Sequence, residues 1–221
     1  MKTMLKNNGL TLVLMGFFGV SLIGLVVTGW HAANDDLGEH GRAALSLTAY
    51  LGSGEFLSAL FENWESEFLQ MWAFVMLTAY LVQRGSPESK DPDKVESQDA
   101  DPAASRDDPR APGPVRRGGL LLTLYSHSLG LALLGLFIAS FLLHWINSAR
   151  AASHVALQHG QAPPTLLAHL VSWDMWFESF QNWQSEFLST AVLIVLGIWL
   201  RERGSPESKP VAAPHAETGA G

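Results

Sequence analysis

The residues best placed for chemistry occur twice. FENWESEFLQ at residues 61–70 returns as FQNWQSEFLS at residues 180–189. At about 100° per residue, Asn63, Ser66, Glu67 and Gln70 share one helical stripe, with Phe61, Trp64, Phe68 and Trp72 opposite. The second copy sets Asn182, Ser185, Glu186 and Ser189 against Phe180, Trp183 and Phe187. Glu62 and Glu65 become Gln181 and Gln184 and fall off the stripe, so the inward carboxylates shared by both copies are Glu67 and Glu186. Two chemistries fit this pattern. The carboxylate pair lines an outward-facing cavity and takes a cation or proton, or the Asn-Ser-Glu stripe joins helices by hydrogen bonds. Two carboxylates held close would also push one pKa upward.

Other chemistry finds little support. The chain has no cysteine, which excludes disulfides, thiolate nucleophiles and iron–sulfur clusters. It lacks HExxH, G-x-S-x-G and a phosphate-binding glycine loop, so the reading is not an enzyme and needs no cofactor. A net charge of -7 argues against nucleic acid as a partner. His127 reads as a satisfied interior histidine rather than a proton relay. His40, His154, His159 and His169 fall in loops, and the five-residue spacing of His154 and His159 does not suit a helical metal pair, so no metal site is predicted.

The elements that must position the stripe are apolar. Residues 9–30 and 119–145 are each long enough to cross a bilayer core of about 30 Å. Lys2 and Lys6 ahead of an apolar run also resemble a secretory signal, but residues 119–145 have the same character inside the chain, and 9–30 is read as a spanning helix. The apolar runs at 68–82 and 187–200 cover only about 21–23 Å, too little to cross. Their helices must extend N-terminally through the repeated stretch, which lifts that stretch to the outer interface. Trp30, Trp64, Trp145, Trp173, Trp176 and Trp183 then form an outer aromatic belt.

At an offset of 119 residues, positions 61–90 and 180–209 share 16 of 30 identities without gaps. Seven of these are the motif RGSPESK, at 84–90 and 203–209. Arg and Gly in it read as a helix stop, whereas the identical SPESK suggests a docking or phosphorylation site. Small pairs four apart, Gly24 with Thr28 and Gly135 with Ala139, read as helix-packing seams. Twelve lysines and arginines lie at the termini and in the middle linker, against Arg42 and Arg150 in the other two loops. The positive-inside rule therefore puts both termini in the cytoplasm.

The order of an Asn-Gly-Leu opening at residues 8–10, HG in a loop, NWESEFLQ and RGSPESK resembles a bacterial family of uncharacterised four-span membrane proteins, a domain of unknown function. The likeness covers nearly the whole chain except linker and tail. It implies localisation and topology, with no activity, substrate or partner. Gln181 and Gln184 depart from the motif, against any role that needs all three acids in each copy.

Together these readings predict an all-α membrane protein whose four transmembrane helices form two parallel helical-hairpin repeats. The first hairpin is 1–84 and the second 118–203, with a disordered cytoplasmic linker at 85–117 and a disordered tail at 204–221. The chain is expected to be a multi-pass inner-membrane protein, most simply a non-enzymatic scaffold or interaction protein. The alternative is a small cation or proton channel or carrier. Its expected partners are the lipid bilayer and a membrane or cytoplasmic protein at the exit motifs.

Overall fold

The computed structural model describes residues 2–219, with side chains from Lys6 onward. Met1, Ala220 and Gly221, the outer ends of the first hairpin and of the tail, lie outside the described residues. Every regular element is helical: α1 (Lys2–Glu39), α2 (Leu47–Leu51), α3 (Gly54–Tyr80), α4 (Gly113–Arg117), α5 (Gly119–Ser126), α6 (Ser128–Gln158), α7 (Leu166–Leu170) and α8 (Trp173–Trp199).

The offset seen in sequence recurs in these boundaries. α2 and α7 begin and end 119 residues apart, and so do α3 and α8. Each of the latter has 27 residues, about 40 Å of helix, and encloses its whole aromatic-acidic stretch. Among the described residues two helices, Lys6–Glu39 and Ser128–Gln158, are long and apolar enough to cross a membrane. They differ from the expected segments in extent. α1 has a kink at Asn8 and runs on to Glu39. The predicted span 119–145 is interrupted at His127, whose φ of -114° and ψ of 8° end α5, and α6 then continues to Gln158. His127 is exposed at this break rather than satisfied inside the chain.

The chain divides into two compact units, Met1–Leu60 with Leu143–Leu170, and Phe61–Leu142 with Val171–Gly221. In the first, Ala33, Tyr50 and Phe56 form a small core backed by Leu25, Val26 and Trp30. Ser46 caps α2 through Ala49 N, and the Trp30 indole donates to Leu45 O at 2.8 Å, which ties the loop before α2 to α1. The other copy repeats the device, with Trp145 donating to Leu166 O at 2.9 Å.

One further pair follows the 119-residue offset. The Tyr50 hydroxyl lies over Gly29, and at the equivalent positions His169 Nε2 meets Ser148 Oγ at 2.8 Å. The long phenol leaves room for no side chain at 29, whereas the shorter imidazole admits a serine. A bare Cα is also required at Gly54, where a Cβ would come within 2.7 Å of both Ala151 N and Asn147 O. The corresponding Trp173 is 90% exposed, so the two copies are not interchangeable.

In the second unit, residues expected to be unstructured take up turns: 3-10 segments at Ser97–Asp99 and Pro102–Ser105, then α4. The tail closes around Lys209, whose ammonium donates to the carbonyls of Pro214, His215 and Glu217 at 3.4, 3.0 and 2.9 Å. Burial, then the nearby Arg201 charge, lowers the pKa of this lysine.

The predicted packing seams face open space. A Cβ at Gly24 or Gly135 would meet nothing within 4 Å, and Thr28 instead bonds back to Gly24 O in its own helix. Along α1, Leu10, Phe17, Val20 and Ile23 are 74%, 67%, 72% and 66% exposed. Apolar exposure on that scale marks a surface meant for something other than water.

Substituting Gly29→Ala places a Cβ 2.1 Å from the Tyr50 hydroxyl. Thermal unfolding in detergent should show a loss of about 1–3 kcal/mol from this overpacking, partly restored by adding Tyr50→Phe.

Candidate functional site

The repeated stretch meets its own copy in the second unit. Three hydrogen bonds cross from α8 to α3: Asn182 Nδ2 donates to Glu62 Oε1, Trp183 Nε1 to Glu65 Oε1 at 2.9 Å, and Gln70 Nε2 to Thr190 Oγ1. The partners are 120, 118 and 120 residues apart. An antiparallel pair would lose two residues of separation for every step along the helix. Constant separation means that α3 and α8 run in the same direction, each residue lying beside its own repeat position.

This register decides which acids are used. Glu65 is wholly buried and Glu62 half-buried, whereas Asn63 and Glu67 are exposed. Across from them, Asn182 and Glu186 are half-buried and Ser185 is exposed. The two acids placed off the stripe by sequence periodicity are therefore the ones that hold the helices together. The serines act locally: Ser66 Oγ donates to Asn63 O and Ser185 Oγ to Asn182 O, each at 2.8 Å, within their own helices.

The substitution of Gln for Glu in the second copy now has a physical account. In the acid layer the donors Asn182 and Trp183 stand on α8 and the acceptors Glu62 and Glu65 on α3, so these carboxylates are needed on α3 alone. Gln184, the counterpart of Glu65, is exposed and bonds to Gln181 O of its own helix at 3.0 Å. A buried carboxylate is costly unless each oxygen finds a donor, and an unneeded one is better replaced by an amide.

The tryptophans have several roles. Trp176, Phe180 and Trp183 line one face of α8 with ring centroids 5.4 to 6.2 Å apart, and Trp183 and Trp176 meet Phe137 and Phe141 of α6, each at 6.2 Å. Trp183 thus points into the protein. Phe61 and Trp64 repeat the Phe180–Trp183 contact, both with centroids 5.4 Å apart. Trp173 alone of the six expected belt residues stands open.

Sequence spacing missed Glu178. Its carboxylate lies within 4.8 Å of that of Glu62, and Ala59 occupies the equivalent position in the first copy. Ser179, one turn before Trp183, is buried with its hydroxyl lacking a protein partner. Of the histidines, His154 bonds with Gln158 and His159 with Val155 O, each within its own helical turn.

These features define an all-helical protein in which two helices are apolar enough to cross a membrane and two others are joined in parallel by a buried acid–indole layer. The chain belongs to the family described as domain of unknown function (DUF6766), whose model matches residues 1–220. No curated protein and no solved structure matches it.

Replacing Glu65 by alanine strands the Trp183 N–H and should cost about 1–3 kcal/mol of stability, with Glu65→Gln costing less because it retains an acceptor. A double-mutant cycle with Trp183→Phe, followed by thermal unfolding, should give a coupling energy of the same sign. Additive effects would show that the bond contributes nothing.

Proposed function

We propose that this chain is a multi-pass membrane protein of four spans, α1, α3, α6 and α8, with both termini and the middle linker cytoplasmic. On this reading it acts as a non-enzymatic scaffold or interaction protein. The observation that carries it is the fully buried Glu65 bonded to Trp183. The repeated phrase is then spent on joining α3 to α8, while the long apolar faces of α1 and α6 remain for lipid or a membrane partner. Helices of 27 residues are long enough to cross a core of about 30 Å with their polar N-terminal turns at the interface.

The second reading is a small cation or proton channel or carrier. Glu62 and Glu178, held within 4.8 Å, favour it, as carboxylates in such a setting commonly mark ion routes.

Two measurements separate these proposals. In intact cells, a cysteine at Gln161 should react with an impermeant reagent and one at Ser97 should not; the reverse pattern overturns the orientation. In proteoliposomes, the scaffold reading expects no cation or proton flux under any gradient. Flux abolished by Glu67→Gln with Glu186→Gln, fold retained, would establish transport instead.

A further inference from the structure

The seven identical residues of RGSPESK build the same small loop twice. Ser89 Oγ accepts from Gln83 N at 2.9 Å, and Ser208 Oγ accepts from Glu202 N at 2.9 Å. Ser86 Oγ accepts from Glu88 N at 3.2 Å, and Ser205 Oγ from Glu207 N at 3.2 Å. Gly85 and Gly204, at φ of 84° and 86°, turn the chain in the left-handed region that glycine tolerates. The two loops therefore present the same backbone groups in the same order.

The first loop is occupied. Gly85 N donates to Thr218 Oγ1 at 2.9 Å, and Gly219 N donates to Ser86 O at 3.0 Å. A glycine N–H and the carbonyl after it thus clamp a threonine hydroxyl and the N–H after that. The tail lies directly on the bare glycine, since a Cβ at Gly85 would come within 2.9 Å of His215 O. Gly85, Ser86 and Thr218 are all buried in this contact. The second copy delivers the tail to it: Lys209 holds the carbonyls of His215 and Glu217, and Arg201 Nη2 donates to Ala213 O at 3.3 Å.

The second loop is open. Among the described residues, nothing lies within 4 Å of a Cβ placed on Gly204, and that glycine is exposed. Gly204 N and Ser205 O, the counterparts of the clamp, make no backbone hydrogen bond among the described residues. Lys90, the counterpart of Lys209, is bound to Asp99 at 2.6 Å and cages no strand of its own. A second copy of the chain has its Thr218 seated in its own first loop, which leaves a different protein as the source of an occupant.

We propose that the second exit loop, at Gly204 and Ser205, binds a threonine-glycine segment of a partner protein through the clamp that holds Thr218 and Gly219 in the first loop. This names the partner chemistry for the interaction reading above and rests on it. The hydroxyl is required because it alone of that side chain's atoms accepts from the glycine N–H. The glycine is required because Gly219 sits at φ of 88°, where a side chain is strained.

An amidated peptide of the tail sequence, PVAAPHAETGA, carrying an N-terminal trifluoroacetyl group, tests this against the full chain in micelles. Broadening of its fluorine line should titrate to saturation. Valine in place of the peptide's threonine should weaken binding by about fivefold to tenfold, the effect of one lost hydrogen bond. Gly204→Pro, which has no N–H to donate, should abolish binding. Ser208→Ala, a milder change that releases the loop from Glu202 N, should weaken it. Broadening no greater than with empty micelles, equal affinity of the valine peptide, or binding untouched by both loop variants overturns the proposal. So does a dimer that Thr218→Val turns into a monomer, since a second copy would then fill the loop. Ion flux with peptide binding intact would overturn the interaction reading and leave the loop's chemistry standing, whereas no flux and no binding would overturn this proposal alone.

Discussion

The in-register parallel contact of α3 with α8 is the constraint on which the rest of the second unit depends. It turns a repeat in sequence into a repeat in space, because residues 118–120 apart become neighbours. At its centre a carboxylate without solvent contact accepts from an indole N–H, and the bond aims Trp183 inward. That orientation lets the aromatic face of α8 stack on Phe137 and Phe141. In a nonpolar surround such a bond is strengthened by low dielectric, and leaving either partner unmade is correspondingly expensive.

Duplication here has led to division of labour rather than symmetry. Around Glu62 and Glu65 the acceptors stand on α3 and the donors on α8, which is why these acids of the first copy are amides in the second. Gly54 presses on the backbone of α6 while Trp173 stands open at the matching place. Tyr50 over Gly29 and His169 on Ser148 solve one packing problem with two pairs of volumes.

Much of this was legible in the chain. Helices starting ahead of the apolar runs at 68–82 and 187–200 were expected from the repeat, and α3 and α8 do enclose the repeated stretch. The choice of carboxylate was not legible. Glu65 and Glu67 differ by about 200° around the helix, and helical periodicity cannot say which side a neighbour takes. Identity between copies pointed to Glu67, because it rewards residues that both copies keep and overlooks bonds that only one copy makes. His127 read as interior for a similar reason: an apolar run does not reveal that the helix breaks within it.

By itself, then, the sequence determined the long apolar helices, the 119-residue offset and the glycine-serine chemistry of the exit loops. Each of these is local, set by side-chain hydropathy, backbone freedom and bonds spanning a few residues. Tertiary structure alone decided that Glu62 and Glu65 face α8 and that Trp183 points inward. Those outcomes turn on how far one helix is rotated against another, a quantity that arises only when distant segments pack.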